Sequence, residues 1–278
     1  MRFRAVAAVW CVLAGRAAAQ TDLVATARAG TARYRDLAAA IADGYRAVGP
    51  DFPGMGEHYV NMSLLLTGTI DPARPPVLEY ATIDGRPRLV GVAYAALVTD
   101  SAPQPRLPVP PGAWHTHAGT VDEESFVLSH AGVHATHVHA SGPRLAVAHA
   151  WVWLANPAGL YETDNWGLPC ARLGYVAPAG LSADAGRALA LAAGATAYFS
   201  MLVRVVGAPD SLEQERLRAV LQQAAADIAR RVGHGAGDTP LPAPLVSWLE
   251  SEWRSTWTAL LDAASLPVRE RLASLQAQ

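Results

Sequence analysis

Seven of the nine histidines in this 278-residue chain fall between Gly112 and Gly159, in the stretch GAWHTHAGTVDEESFVLSHAGVHATHVHASGPRLAVAHAWVWLANPAG. Neutral imidazole nitrogen and ionised carboxylate oxygen at short spacing are the donors that a transition-metal site needs. The stretch therefore predicts metal chemistry, and its period shows how donors can be delivered. His115-Thr116-His117 on a strand would place two imidazoles on one face, about 6.6 Å apart along the axis, a span two rings can close onto one ion. Leu145 to Leu154 also alternates: Leu145, Val147, His149, Trp151 and Trp153 share one face by the period-two rule. Asn156-Pro157-Ala158-Gly159 ends that run with turn chemistry. His149 is thus expected in a region walled by large apolar side chains. Asp122-Glu123-Glu124 offers an oxygen donor between the two strands, and a hairpin would lay them side by side. Three nitrogens and one carboxylate suit Zn²⁺, Mn²⁺, Fe²⁺, Ni²⁺ or Cu²⁺.

The rest of the chain supplies a scaffold. Leu23, Ala27, Gly30, Tyr34, Leu37, Ile41 and Tyr45 recur at helical spacing and predict a helix over Asp22 to Tyr45, ended by Gly49-Pro50. Pro53, Gly54 and Gly56 predict a tight loop presenting Glu57 and His58. His58 then has two readings, an extra ligand or acid–base group, and a loop anchor held by hydrogen bonds. Val77 to Ile83 and Arg88 to Thr99 read as strands joined at Asp84-Gly85, a strong hairpin signal. The second, LVGVAYAALV, is apolar on both faces and belongs in the middle of a sheet. Ser101 to Gly112 carries five prolines and reads as an extended connector.

Beyond Gly159 the pattern turns helical. Ser182 to Val206 is Ala-rich, with 16 uncharged residues between Arg187 and Arg204. A spanning helix wants about 20, so a buried core helix is expected. Ser211-x-x-Gln214 reads as a capping box for a helix with the stripe Leu217, Val220, Leu221, Ala224, Ile228 and Val232. Leu249, Trp253, Trp257 and Leu260 form the core stripe of a last helix over Leu245 to Ala264. His234, in a Gly-rich break, is expected in solvent. The predicted fold class is α+β: an antiparallel β-rich core carrying the histidine cluster, flanked by an N-terminal helix and a helical C-terminal part.

Residues 1–19 have the pattern of a secretory signal: Arg2 and Arg4, a short apolar core from Val6 to Gly15, and Ala17-Ala18-Ala19 as a cleavage site. Ten or so apolar residues are too few to span a bilayer, so no stable membrane span is expected in the mature chain. The expected divisions are a signal peptide at 1–19, a helix plus β-rich metal-site domain at 20–175 and a helical region at 176–278, in a secreted or periplasmic protein. Removing the signal leaves 19 basic residues against 24 acidic, a net charge of −5. That balance argues against nucleic acid as a partner and leaves a small-molecule substrate or a metal ion. Cys170 remains as the lone thiol, so no intramolecular disulfide forms. It reads as a packing residue, with soft metal ligand as the alternative.

The order His-x-His, then Glu, then a distant His resembles the metal motif of the cupin superfamily over residues 112–156. The resemblance implies His115, His117, Glu123 and His149 as the ligands of a divalent transition metal (Zn, Cu, Fe or Mn), with Glu124 as a substitute for Glu123. More broadly, GMGEHYVN, LVGVAY, WHTHAGTVDEE and HAWVWLANPAGLYETDNW look similar to an uncharacterised family of exported bacterial proteins, over roughly the first 175 residues. That second resemblance implies that His58 belongs with the same constellation. The functional expectation is an exported mononuclear metal enzyme, a hydrolase or oxidoreductase. Glu124 or His58 would move protons, with Trp151 and Trp153 walling the pocket. The alternatives are a copper or zinc carrier, with His130, His134, His137 and His139 collecting metal, and a purely structural ion.

Overall fold

A computed structural model describes residues 22–99, 106–117 and 144–276. The signal-like segment 1–19, Glu123, Glu124 and the 130–139 histidines lie outside the described residues, and for His117 only the backbone is described.

Six strands make one antiparallel sheet: β1 (Arg46–Phe52), β2 (Gly56–Val60), β3 (Val77–Ile83), β4 (Arg86–Val98), β5 (Trp114–His117) and β6 (Arg144–Ala150). Their spatial order is β1-β2-β3-β4-β6-β5. The first four form a meander; β5 lies at the edge, and β6 returns between it and β4. The β3–β4 hairpin turns at Asp84 (φ 53°) and Gly85 (φ 70°), the paired positive φ that a two-residue turn requires. As its two apolar faces predict, β4 is central, between β3 and β6.

The N-terminal helical segment is shorter than its periodicity suggests. A helix α1 over 22–31 continues into a 3-10 turn (Ala32–Arg35), and a second helix, α2 (Leu37–Ala42), follows. Asp36 causes the break: it sits at an extended φ/ψ, and its side chain accepts a hydrogen bond from Ala38 N as a new N-cap. Gly44 (φ 94°) ends α2, and Gly49-Pro50 lies within β1. An edge strand tolerates proline because the missing N–H need not face a partner. Leu23, Ala27 and Tyr34 pack on the sheet face formed by Tyr59, Leu78, Tyr80, Val92, Tyr94 and Ala150. Tyr45 and Tyr94 donate to the Pro75 and Pro72 carbonyls at 2.7 and 2.8 Å, so these buried tyrosines satisfy their hydroxyls.

The opposite sheet face holds two apolar patches. Val77, Ala93, Ala95 and Val147 form one, with Leu65 from a short helix α3 (Met62–Leu65). Phe52, Met55, Ala81, Ile83, Val90 and Trp151 form the other, with Leu168 from α4 (Gly167–Arg172). Along β3, Glu79 falls between Val77 of the first and Ala81 of the second.

The C-terminal helices are α5 (Ala183–Ala192), α6 (Thr196–Val205), α7 (Ser211–Val232), α8 (Ala243–Ala263) and α9 (Leu266–Gln276). The single helix expected over Ser182 to Val206 is two, bent by 112°, because Gly194 (φ 101°) interrupts it. No single helix among the described residues is long and apolar enough to cross a membrane. The cap of α7 is Asp210, whose side chain accepts from Glu213 N, one residue before the expected Ser211. Leu217, Leu221, Ala224, Ile228 and Val232 are buried, and Val220 packs at the margin. Leu249, Trp253 and Leu260 of α8 complete that core, with Trp257 partly buried against it.

Candidate metal centre

Register alone brings a polar row onto one face of the sheet. His58 on β2 lies opposite Glu79 on β3. Glu79 lies opposite Gly91 on β4, and His149 on β6 lies opposite Ala93, the next residue of β4 on that face. Directly opposed residues point the same way. Gly91 lets the row close. A Cβ at that position would lie inside the contact distance of Glu79 Oε2 and 3.0 Å from Trp151 Cε3. The Glu79 carboxyl therefore reaches across β4, where any other residue would put a side chain, and its Oε1 meets His149 Nδ1. Glycine inside a strand marks such close approaches. Beside it, Tyr80 pairs with Leu89 while Glu79 pairs with Gly91, leaving Val90 as a bulge that re-aims the strand.

His58, Glu79 and His149 each offer a ligand atom, and these atoms lie within 4.8 Å of one another. The three residues are 5%, 0% and 1% exposed. The His58 ring stands edge-on to Phe52 at 5.7 Å and to His149 at 6.0 Å. Trp151 stacks on His149 at 6.4 Å, and its own indole N–H donates to the Glu162 carbonyl at 2.6 Å. Glu79 Oε2 and His149 Nε2 are buried with no hydrogen-bond partner among the described residues. Such atoms cost about 1–3 kcal/mol each when left unmet, and a bound cation would answer both.

The electrostatics agree with that need. Burial pushes the Glu79 carboxyl up to about 8, against the lowering influence of His58. Burial pushes His149 down to about 4. In both cases the low-dielectric interior disfavours the charged form. Both shifts favour the neutral forms of the cation-free pair. A divalent cation would supply the charge that lets Glu79 ionise and take up its role as a donor. Two imidazoles and a carboxyl thus make a group that could hold a metal ion.

Of the residues singled out from sequence, His149 and His58 meet here. His115 lies next to them: on β5 it opposes Val147, and its ring stacks on His149 at 5.2 Å with 4° between the planes. It is not one of the three that converge. His117, of which only the backbone is described, opposes Leu145 on β6. Glu123 and Glu124 lie outside the described residues. Trp153 does not wall this site. β6 ends at Ala150, and Trp153 N and Leu154 N both donate to the Val90 carbonyl, two residues against one. That irregularity breaks the alternation, and Trp153 turns to the other face, where its indole donates to Thr31 Oγ1 at 3.1 Å. Cys170 is fully buried in the helical core, its thiol pushed up to about 12 by burial. His234 is exposed.

Glu79 is the residue that sequence reasoning missed. Its signal was present: a lone carboxylate in VLEYATI, an otherwise uncharged strand, requires a partner once buried. Gly91 inside LVGVAY was the matching signal on the neighbouring strand. Neither a family model, nor a curated protein, nor a solved structure matches this chain.

Proposed function

We propose that this chain is an exported metal-binding protein in which His58, Glu79 and His149 hold one divalent transition metal (Zn, Cu, Fe or Mn), and that it acts as a mononuclear hydrolase or oxidoreductase on a small molecule. The observation that supports the site is the convergence of two imidazoles and one carboxyl within 4.8 Å inside a sheet. Three protein ligands among the described residues leave further coordination positions, and where these face water or substrate the pattern is that of catalytic rather than structural zinc. An ion so held supplies Lewis acidity and can activate a bound water or dioxygen. The chain's own part is orientation. Glu79 fixes one edge of the His149 imidazole, Trp151 fixes its plane, and Gly91 leaves the carboxyl room. Export rests on the signal pattern of residues 1–19.

A carrier or a structural ion is the second reading, and the burial of all three ligands favours it. A stored ion need never be touched, whereas a substrate must reach it.

Elemental analysis of the untagged mature protein tests the site. About one equivalent of metal is expected, and Glu79→Gln, which keeps volume and neutrality, should weaken binding by more than the roughly 10–100-fold that loss of an outer partner costs. Unchanged metal content with an unchanged far-UV spectrum would remove Glu79 from the site. Cobalt-substituted protein then separates the two readings: a visible spectrum that shifts on adding azide reports an open position, and one blind to azide favours storage or structure.

A further inference from the structure

We infer that His115 is the loading ligand of this centre, an imidazole at the sheet edge that takes a divalent cation from solvent and passes it to His149. This rests on the metal-binding reading above. The three converging ligands are at most 5% exposed, so an ion cannot reach them from water without a way station. His115 is only partly buried, and it sits on β5, the edge strand of the sheet. It opposes Val147, two residues from His149 on the same face, which makes the two histidines diagonal neighbours. Their rings are parallel within 4° at 5.2 Å, and Trp151 stacks on His149 at 6.4 Å. Among the described residues, His115 is thus the partly exposed imidazole that His149 stacks against.

Chemistry favours a handover at this spacing. Moving a bare divalent ion through a low-dielectric interior is prohibitive, so each leaving donor has to be replaced as the ion advances. Zinc–nitrogen bonds are about 2.0–2.1 Å, so one ion bridging two imidazole nitrogens spans roughly 4 Å. The rings stack with centroids 5.2 Å apart and planes within 4°, so their nitrogen lone pairs lie in parallel planes, and the handover requires the His115 side chain to rotate and turn a nitrogen toward the ion. His115 is not among the three residues whose ligand atoms converge within 4.8 Å, so its role belongs to the path and not to the resting site.

Stopped-flow uptake of Co²⁺, read by its visible bands, and its release to EDTA test this. A group that acts only along the path changes forward and reverse rates by the same factor. His115→Ala should slow loading and release alike, by about tenfold or more, with Kd constant within about twofold. His115→Phe keeps a ring over His149 but no donor, and should load as slowly as the alanine variant. Wild-type rates in both variants would overturn the inference, as would rescue by phenylalanine, which would reduce His115 to a stacking partner. A weakened Kd with unchanged loading would make it a resident ligand instead. Should the wild-type chain take up no stoichiometric cobalt, the metal reading itself fails; should it do so at rates indifferent to residue 115, only the loading role fails.

Discussion

At the scale of single residues, Glu79 and Gly91 act as one unit. The carboxyl occupies the space that a side chain at 91 would fill, so Gly91→Ala should act on the site more than on the fold. Overpacking of this kind costs about 1–3 kcal/mol. The expected result is a near-wild-type far-UV spectrum with metal affinity lost, measured by competition with a chromogenic chelator. Acidity gives a second expectation. Folding raises Glu79 from 4.5 to about 8, so between those values the folded state holds a proton that the unfolded state has lost, and stability falls as pH rises. Folding lowers His149 from 6.5 to about 4, so between those values the unfolded state holds the extra proton, and stability falls as pH drops. The two slopes cancel between about 4.5 and 6.5 and leave only that of Glu79 above. Burial also raises Asp164 from 3.8 to about 6, so below about pH 6 one further proton is held only by the folded state. Metal-free protein should therefore lose urea-melt stability as pH rises, levelling only between about 6 and 6.5. Towards pH 8 it should then lose roughly 1.4 kcal/mol per pH unit, the value of one proton. Saturating zinc should abolish that loss, because the ion holds Glu79 ionised. A cation-free protein that grows more stable from pH 6.5 to 8 would contradict the neutral buried pair.

At the scale of elements, glycines and caps decide where regular structure stops. The Ala-rich segment after Ser182 has the composition of one long helix, and Gly194 divides it because φ 101° is a conformation that L side chains resist. A Cβ at Gly194 would meet nothing within 4 Å, so Gly194→Ala isolates backbone strain from packing. It should cost about 1–2 kcal/mol in a chemical melt, and a neutral or stabilising result would mean that the bend relaxes. Asp36 divides the N-terminal helix by the same logic, offering its carboxylate to Ala38 N in place of a continued helix. Helical periodicity runs through both breaks, since apolar spacing records which residues are buried and not whether the backbone between them is continuous.

At the scale of the whole molecule, sheet and helices share residues. On the six-residue α4, Leu168 belongs to the sheet-side core and Cys170 to the helical core. Tyr198 and Leu202 of α6 pack against both. Ring contacts run from His58 through Phe52 to Tyr198, at 5.7 and 5.5 Å, linking the candidate centre to the helical part. Unfolding should therefore be one transition, with near-UV signals of the sheet and far-UV signals of the helices coinciding. Zinc at about 100 times its Kd should shift both together by roughly 2.7 kcal/mol. Separate midpoints, with only the earlier or later one moved by zinc, would show that the two cores melt independently.

The chain's own pattern determined what is local. Period-two and period-3.6 alternation predicts the α+β class, the β3–β4 hairpin, the central place of LVGVAY and the buried stripes of α7 and α8, because each depends on neighbours a few residues away. His149 was legible as a buried imidazole for the same reason. Of its partners at the centre, His58 was read as an extra ligand or acid–base group, and Glu79 was not read at all. The sequence drew attention to His115 and His117 and to Glu123 and Glu124, the last two outside the described residues, whereas the carboxyl that meets His149 lies 70 residues away. Strand order and register, together with the bulge at Val90, decide which distant side chains share a face, and those are set by the packing of the whole sheet.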